Sequence, residues 1–361
     1  MWLLPLVVAE VRKQEEIMSH LRLNNDKTVM ILTSKERLFT HSLLGSLFIL
    51  LASLTISMKP ALEVPEADIT NGLVRAKLYL PDAENGYYRG TRFDWSGVVA
   101  TLDYKGHTYH GKWFDNYNPT THDAIIGPVE EFGPLGYTDA KAGETFVKIG
   151  IGGLTRPDEK PYNSFKTYAI ANPGSWSVKK KEDQVQFTHT LTDSNYGYTY
   201  QKTLKLTKGK PELVITHTLK NTGTRAIETT AYDHNFFVID QQPTGPTYSV
   251  TFPIASLSAE GGKGVGEVVN LQGNQLVYLR DLGKREQAYF PDLAAGKPVR
   301  YAINVDNTKT GAGVKVTGDR DITRLVFWSS STTVCPEPYI DIKVEPGKSF
   351  SWQIAYQYYT K

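Results

Sequence analysis

From about Ile69 onward, apolar and polar residues alternate in short runs rich in Val, Ile, Thr, Tyr and Phe, and Gly, Pro, Asn and Asp separate the runs. A period of two predicts strands with one buried face, because successive side chains of a strand point to opposite sides. In residues 183–192, DQVQFTHTLT, the positions Val185, Phe187, His189 and Leu191 share a face; in 212–220, ELVITHTLK, Leu213, Ile215, His217 and Leu219 do the same. Between them, residues 198–212 supply another strand and a turn at Lys208-Gly209-Lys210-Pro211, which predicts three consecutive antiparallel strands. Later runs repeat the pattern: PTYSVTFP, NQLVYLRDL, VRYAINVDN, AGVKVTGD, RLVFWSSS, YIDIKVEPG and SFSWQIAYQYY, the last read as a buried closing strand. No long stretch keeps a helical period, residues 257–270 form a Gly-rich connection, and neither a repeat nor a linker divides residues 60–361. The pattern predicts one all-β domain, a large antiparallel β-sandwich of two packed sheets.

The N-terminal part follows a different pattern. Residues 42–57, SLLGSLFILLASLTIS, carry no charge and follow Lys35 and Arg37, as in the positive and apolar regions of a secretory signal. The run is too short for a comfortable membrane span. Thr55 and Ser57 predict cleavage before Met58, and Met30 is a candidate start; an uncleaved anchor and a helix of the fold are the alternatives. The expected organisation is an N-terminal extension with signal peptide over 1–57 and a β-sandwich domain over 58–361. The expected location is periplasmic or secreted, with no stable membrane insertion after cleavage.

Composition narrows the partners. With 40 Lys+Arg against 38 Asp+Glu the chain is close to neutral, which argues against a nucleic-acid partner. A single cysteine, Cys335, excludes an internal disulfide and a cysteine-rich metal site.

One run breaks the alternation. In TTAYDHNFFVID, residues 229–240, the polar residues Asp233, His234 and Asn235 stand between Tyr232 and Phe236-Phe237. A histidine beside an aspartate and followed by two phenylalanines suits a general acid in a partly apolar pocket; the plainer reading is a structural histidine satisfied by backbone. A second candidate is Glu337 in TTVCPEPYIDI, where Pro336 and Pro338 remove two amide donors that would otherwise stabilise a carboxylate. Such a carboxyl has a raised pKa and serves as a base near neutrality, unless it is simply solvated on a rigid turn. A third cluster, GYYRGTRFDWSGVV with GKWFDNYNPTTHDAIIGPVEEFGPLGY, interleaves aromatics with Arg89, Arg92, Asp94, Asp115, Asn116 and His122. Flat rings over sugar faces and charged groups on hydroxyls fit carbohydrate; a polar loop pinned by ion pairs fits as well. His107 and His110, three apart, fall on opposite faces of a strand and make a poor metal pair. His189 and His217 share the apolar parity of their strands and read as core or rim histidines, although on neighbouring strands they could flank a site. GGKGVGE lacks the Lys-Ser/Thr ending of a phosphate loop.

Over residues 68–360 the chain resembles the aldose 1-epimerase (galactose mutarotase) superfamily. PELVITHTLKNTGTRAIETTAYDHNFFVID is similar to that family's long strand pair leading to an Asn/Asp-His-x-x-Phe segment. TTVCPEPYIDIKVEPGKSFSWQIAYQYY is similar to its Cys-x-Glu-Pro segment, Pro-Gly turn and final strand. The resemblance implies a galactose mutarotase-like supersandwich and a cofactor-independent, metal-free aldose 1-epimerase-like enzyme with His234 as general acid and Glu337 as general base. It also implies substrate contacts at Arg92 and His122, with Tyr232, Asp233 and Asn235 orienting the histidine or the sugar. RGTRFDWSG and NPTTHDAIIGPVEEFGPLGY depart from the family's substrate segments. The expected geometry has protonated His234 and Glu337 facing each other about one sugar ring apart, with the Arg92 loop nearby. The expected partner is a small-molecule sugar or a glycan end. The alternatives are a non-catalytic carbohydrate-binding protein and a glycan lyase or hydrolase on the same fold.

Overall fold

The alternating runs become strands whose pairing follows their order in the chain. In the computed structural model, which describes residues 63–361, Gln184–Leu191 pairs antiparallel with Tyr198–Leu206, and that strand with Glu212–Asn221. The predicted signal segment and its cleavage point lie outside the described residues. Between the second and third strands, Thr207 N–H donates to the Glu212 carbonyl at 2.9 Å, and Gly209 takes φ 72°, a left-handed position that a Cβ would resist.

These strands lie in a ten-stranded antiparallel sheet. The final strand, Ser349–Thr360, sits inside it between Glu212–Asn221 and Ala312–Gly318, so the peptide groups on both its edges find partners. A five-stranded sheet lies against it, in the order Ala288–Phe290, Arg324–Ser330, Thr333–Val344, Ile227–His234, Val129–Phe132. The expected sandwich of two packed sheets is therefore present, with a four-stranded and a three-stranded sheet added to it.

The five-stranded sheet has two chemically different faces, and this difference positions the site. One face packs on the ten-stranded sheet: Phe132 meets Tyr200 and Trp352 edge-on at 5.4 and 6.2 Å, and Ala231, Ile340 and Ile342 join the same core as Ile215 and Leu219. That interface also buries charge. Glu130 bonds Lys202, and its other carboxylate oxygen lies 2.7 Å from His217 Nε2; Asp94 lies 3.5 Å from the same Lys202. Burial pushes the Glu130 carboxyl up, but its contacts with Lys202 and His217 overcome this and hold it below its ordinary value. His217 stacks on Trp352 at 4.4 Å, and His189 stacks on Trp176 at 4.2 Å while contacting the Pro173 carbonyl at 2.8 Å. Both are core histidines, as their parity suggested. The other face of the five-stranded sheet floors a cavity.

Candidate active site

Cross-strand register places the cavity floor residue by residue. Tyr232 pairs with Glu131 on one side and Tyr339 on the other, and Tyr339 pairs with Arg324, so Glu131, Tyr232, Tyr339 and Arg324 form one row. Two residues along each strand the same face presents a second row: His234 opposite Val129, and Glu337 opposite Val326. His234 Nε2 lies 3.3 Å from Glu337 Oε1. The bridge between Phe237 and Val334 keeps this register past the end of the histidine strand. Two motifs a hundred positions apart thus meet because their strands are neighbours and share parity.

The pair sits on the floor of a cavity of about 530 Å³, a size suited to a small ligand. The Phe236 ring lies flat on the His234 imidazole at 3.7 Å, Trp113 stacks behind Phe236 at 5.0 Å, and Phe93 and Trp328 meet the imidazole edge-on at 5.6 and 5.9 Å. Phe236 adopts φ 40°, a left-handed conformation that is costly for a bulky side chain and is held here by packing on both sides of its ring. Burial in this aromatic sleeve, with the Arg92 charge nearby, holds His234 well below the usual imidazole range. Burial pushes the Glu337 carboxyl up to about 8, against the opposing effect of Arg92. The raised carboxyl agrees with what the flanking prolines implied.

Two expectations about the pair need correction. Contact at 3.3 Å leaves no room for a sugar ring between the groups, so they present themselves side by side on one wall. The environment also favours a neutral imidazole beside a protonated carboxyl, because two separated charges are poorly solvated there. Either way the pair holds one titratable proton. Imidazolium with carboxylate and imidazole with carboxylic acid differ only by a shift along the contact.

Of the remaining residues singled out in the sequence, Arg92 and Tyr232 line the cavity. Each of the three Arg92 nitrogens has a protein partner: Nε donates to Glu131 at 2.7 Å, one terminal nitrogen bonds Asp123, and the other donates to the Tyr232 hydroxyl at 2.9 Å. Burial pushes Glu131 up, but Lys148, Arg92 and the Tyr232 hydroxyl hold it below its ordinary value. Asp233 and Asn235 point to the opposite face, as a period of two requires on either side of His234. Asp233 accepts from the Tyr356 hydroxyl and, at 3.4 Å, from Tyr301, and burial followed by the Glu130 charge raises its carboxyl to about 8. Asn235 Nδ2 donates to the Pro336 carbonyl at 2.7 Å, which ties the histidine segment to the strand carrying Glu337. His122 is not part of the cavity lining; its Nδ1 lies 2.9 Å from Asp123, and it is Asp123 that reaches Arg92 and the cavity.

Sequence reasoning did not single out Asp123, Glu131, Tyr339, Trp113 or Trp328, all of which line the cavity. For two of them a signal existed. Tyr339 shares the parity of Glu337, and in VEEF the alternation separates Glu131, facing the cavity, from Glu130, facing the core.

No family model and no curated protein matches the chain. Solved structures do match over most of its length. A protein of Synechocystis sp. PCC 6803 superposes with a TM-score of 0.51 at 14% identity, covering 85% of this chain and 99% of that one. The galactose mutarotase related enzyme of Lactobacillus acidophilus superposes with a TM-score of 0.50 at 10% identity, covering 82% of this chain and 97% of that one. The arrangement of large antiparallel sheets is that of galactose mutarotase-like structures, and at these identities the likeness carries the fold alone.

Proposed function

We propose that this chain, with its galactose mutarotase-like fold, is a cofactor-independent aldose 1-epimerase-like enzyme that interconverts sugar anomers with His234 and Glu337. The observation that carries the reading is the 3.3 Å contact between a buried imidazole and a buried carboxyl on the floor of an aromatic-walled cavity. Anomer exchange moves two protons: one leaves the anomeric hydroxyl and one arrives on the ring oxygen. Both oxygens are bonded to the same carbon, so a donor and an acceptor lying side by side match the reaction. One partner protonates the ring oxygen while the other takes the hydroxyl proton; the bond from the anomeric carbon to the ring oxygen breaks and the hydroxyl oxygen becomes the aldehyde oxygen. Rotation of the aldehyde about its bond to the next carbon presents its other face, and closure with the roles reversed restores the pair. The proton count of the pair is unchanged at every stage, which is why its neutral resting form supports the reading.

Arg92, held by Glu131 and Asp123, contributes a fixed positive charge beside the pair and offers the carboxylates as sugar-hydroxyl acceptors. Tyr232, Tyr339 and Trp328 supply flat apolar surface. The test is polarimetric relaxation of freshly dissolved aldoses with the purified protein and with His234→Ala and Glu337→Gln. The expected result is catalysed mutarotation lost by at least about 100-fold in each variant, as for removal of a general acid or base. Equal rates in wild type and both variants refute the reading. Sugar affinity without catalysis would identify a binding protein, and new reducing ends from a polymer would identify a lyase or hydrolase.

A further inference from the structure

The cavity over the acid–base pair opens sideways. Ser164 and Phe165 line it and also line a neighbouring hollow of about 720 Å³, and past Pro161 and Tyr162 that hollow continues into a third of about 410 Å³. All three follow the loop of residues 158–168, so the acid–base pair stands at one end of a groove.

Phe165 marks the seam between the first two hollows. It is 58% exposed. The Arg92 guanidinium covers one face of its ring, 4.8 Å from the centroid, and the His122 ring meets it edge-on at 5.1 Å, which leaves the other face to solvent. The loop that carries it is tied on both sides. The Asn163 N–H donates to the Tyr168 hydroxyl at 2.9 Å, and that hydroxyl donates to the Asn163 carbonyl at 3.1 Å. The Phe165 N–H donates to Asn163 Oδ1 at 2.9 Å, and Thr167 Oγ1 donates to the Thr120 carbonyl at 3.1 Å. A single exposed apolar side chain is ordinary on a protein surface. One that is fixed, backed by a cation and shared by two adjoining hollows is placed to stack on a flat ligand. Beyond it, Tyr162 and Tyr168 stack at 5.5 Å and give the second hollow an aromatic wall, while Asn163, Ser164 and the Asp158–Lys166 ion pair offer polar groups to hydroxyls.

Register gives the scale. Tyr232 lies two residues from His234 on the same face, about 7 Å along the strand at a rise of about 3.3 Å per residue. Arg92 donates to the Tyr232 hydroxyl, and Phe165 lies over Arg92. These contacts lead outward from the pair over a span on the order of one pyranose and end at the seam. A ring whose anomeric carbon meets His234 and Glu337 therefore turns its opposite side toward Phe165, and a second ring linked at that side crosses into the next hollow.

We propose that the hollow beyond Phe165 is a second sugar subsite, with the open face of Phe165 as its stacking platform, and that the preferred substrate is the reducing-end ring of an oligosaccharide whose further rings run along the groove. This rests on the acid–base reading of His234 and Glu337, since their position defines where the anomeric carbon sits.

The experiment compares sugars of one, two and three rings in three series: glucose, cellobiose and cellotriose; glucose, maltose and maltotriose; xylose, xylobiose and xylotriose. Mutarotation by the full chain, by Phe165→Ala and by Phe165→Trp is followed by polarimetry, and binding by calorimetry. In at least one series the two-ring sugar is expected to show a kcat/KM about tenfold or more above that of the single ring, carried mainly in KM. That ratio should fall about fivefold or more in Phe165→Ala and be kept in Phe165→Trp, because the platform needs a flat ring. Taking the ratio cancels any loss common to both sugars, so a variant with less active protein still reports on the subsite. Equal kcat/KM for one and two rings in all three series, or a preference untouched by Phe165→Ala, overturns the subsite and leaves the acid–base reading standing. If no sugar is mutarotated, the function reading fails and calorimetry decides the subsite: equal affinities for one-ring and two-ring sugars overturn it, and tighter two-ring binding lost in Phe165→Ala upholds it. Because Phe165 is exposed, thermal unfolding of both variants is expected to match wild type.

Discussion

Replacing Glu337 by glutamine keeps the shape of the side chain and removes its ionisation, and it should make the folded protein more stable near neutral pH while abolishing activity. Burial raises this carboxyl from an ordinary 4.5 to about 8. A group whose folded pKa is raised contributes stability that is fully present below the unfolded pKa and is lost as pH rises through the folded one, so its window here runs from 4.5 to about 8. At pH 7 the unfolded carboxyl is ionised and the folded one is not. Two and a half pH units of that window have been crossed, which corresponds to about 3 kcal/mol at roughly 1.4 kcal/mol per unit. Glutamine carries no such penalty. For a domain of about 300 residues the unfolding entropy is on the order of 0.6 kcal/mol/K, so Glu337→Gln should melt about 5 °C above wild type at pH 7. The two proteins should melt together near pH 4. Differential scanning calorimetry at pH 4, 5.5, 7 and 8.5 measures the difference, and the other titrating groups, Asp233 included, cancel because both proteins retain them. A difference that does not change with pH, or a variant that is less stable at pH 7 than at pH 4 relative to wild type, would refute the claim that this carboxyl is held neutral.

Two further outcomes follow from the same charges. The pH profile of kcat/KM for catalysed mutarotation should fall above about pH 8, where the His234–Glu337 pair loses its single proton, and should show no limb near 6.5, because the imidazole is held well below that value; an acid limb at 6.5 would contradict it. Lys202→Met should cost about 3–5 kcal/mol in chemical denaturation at pH 7, because it leaves Glu130 and Asp94 buried without their shared cation; a loss under 1 kcal/mol would show that the buried cluster is neutral in the wild type.

Much of the architecture was legible because strands announce themselves locally. Alternation in residues 183–192 and 212–220 identified the strands, their core faces and the core status of His189 and His217, since parity depends only on neighbours in the chain. The same rule, applied to YDHNF, assigns Tyr232 and Phe236 to the side of His234 and Asp233 and Asn235 to the other side. Treating the run as one polar cluster grouped residues that a period of two separates. The prolines around Glu337 were likewise informative, because a missing amide donor is a property of the residue itself.

The sequence by itself determined the all-β class, the parity that separates His234 from Asp233 and Asn235, and the resemblance that linked the two segments. Only the tertiary structure decided that they touch, that burial disfavours the charged imidazole, and that Arg92 is held by Glu131, Asp123 and Tyr232. The division has a physical cause. Which face a strand residue takes is set by bonds along the chain, whereas protonation and ion pairing depend on burial and on charges brought close by strands distant in sequence.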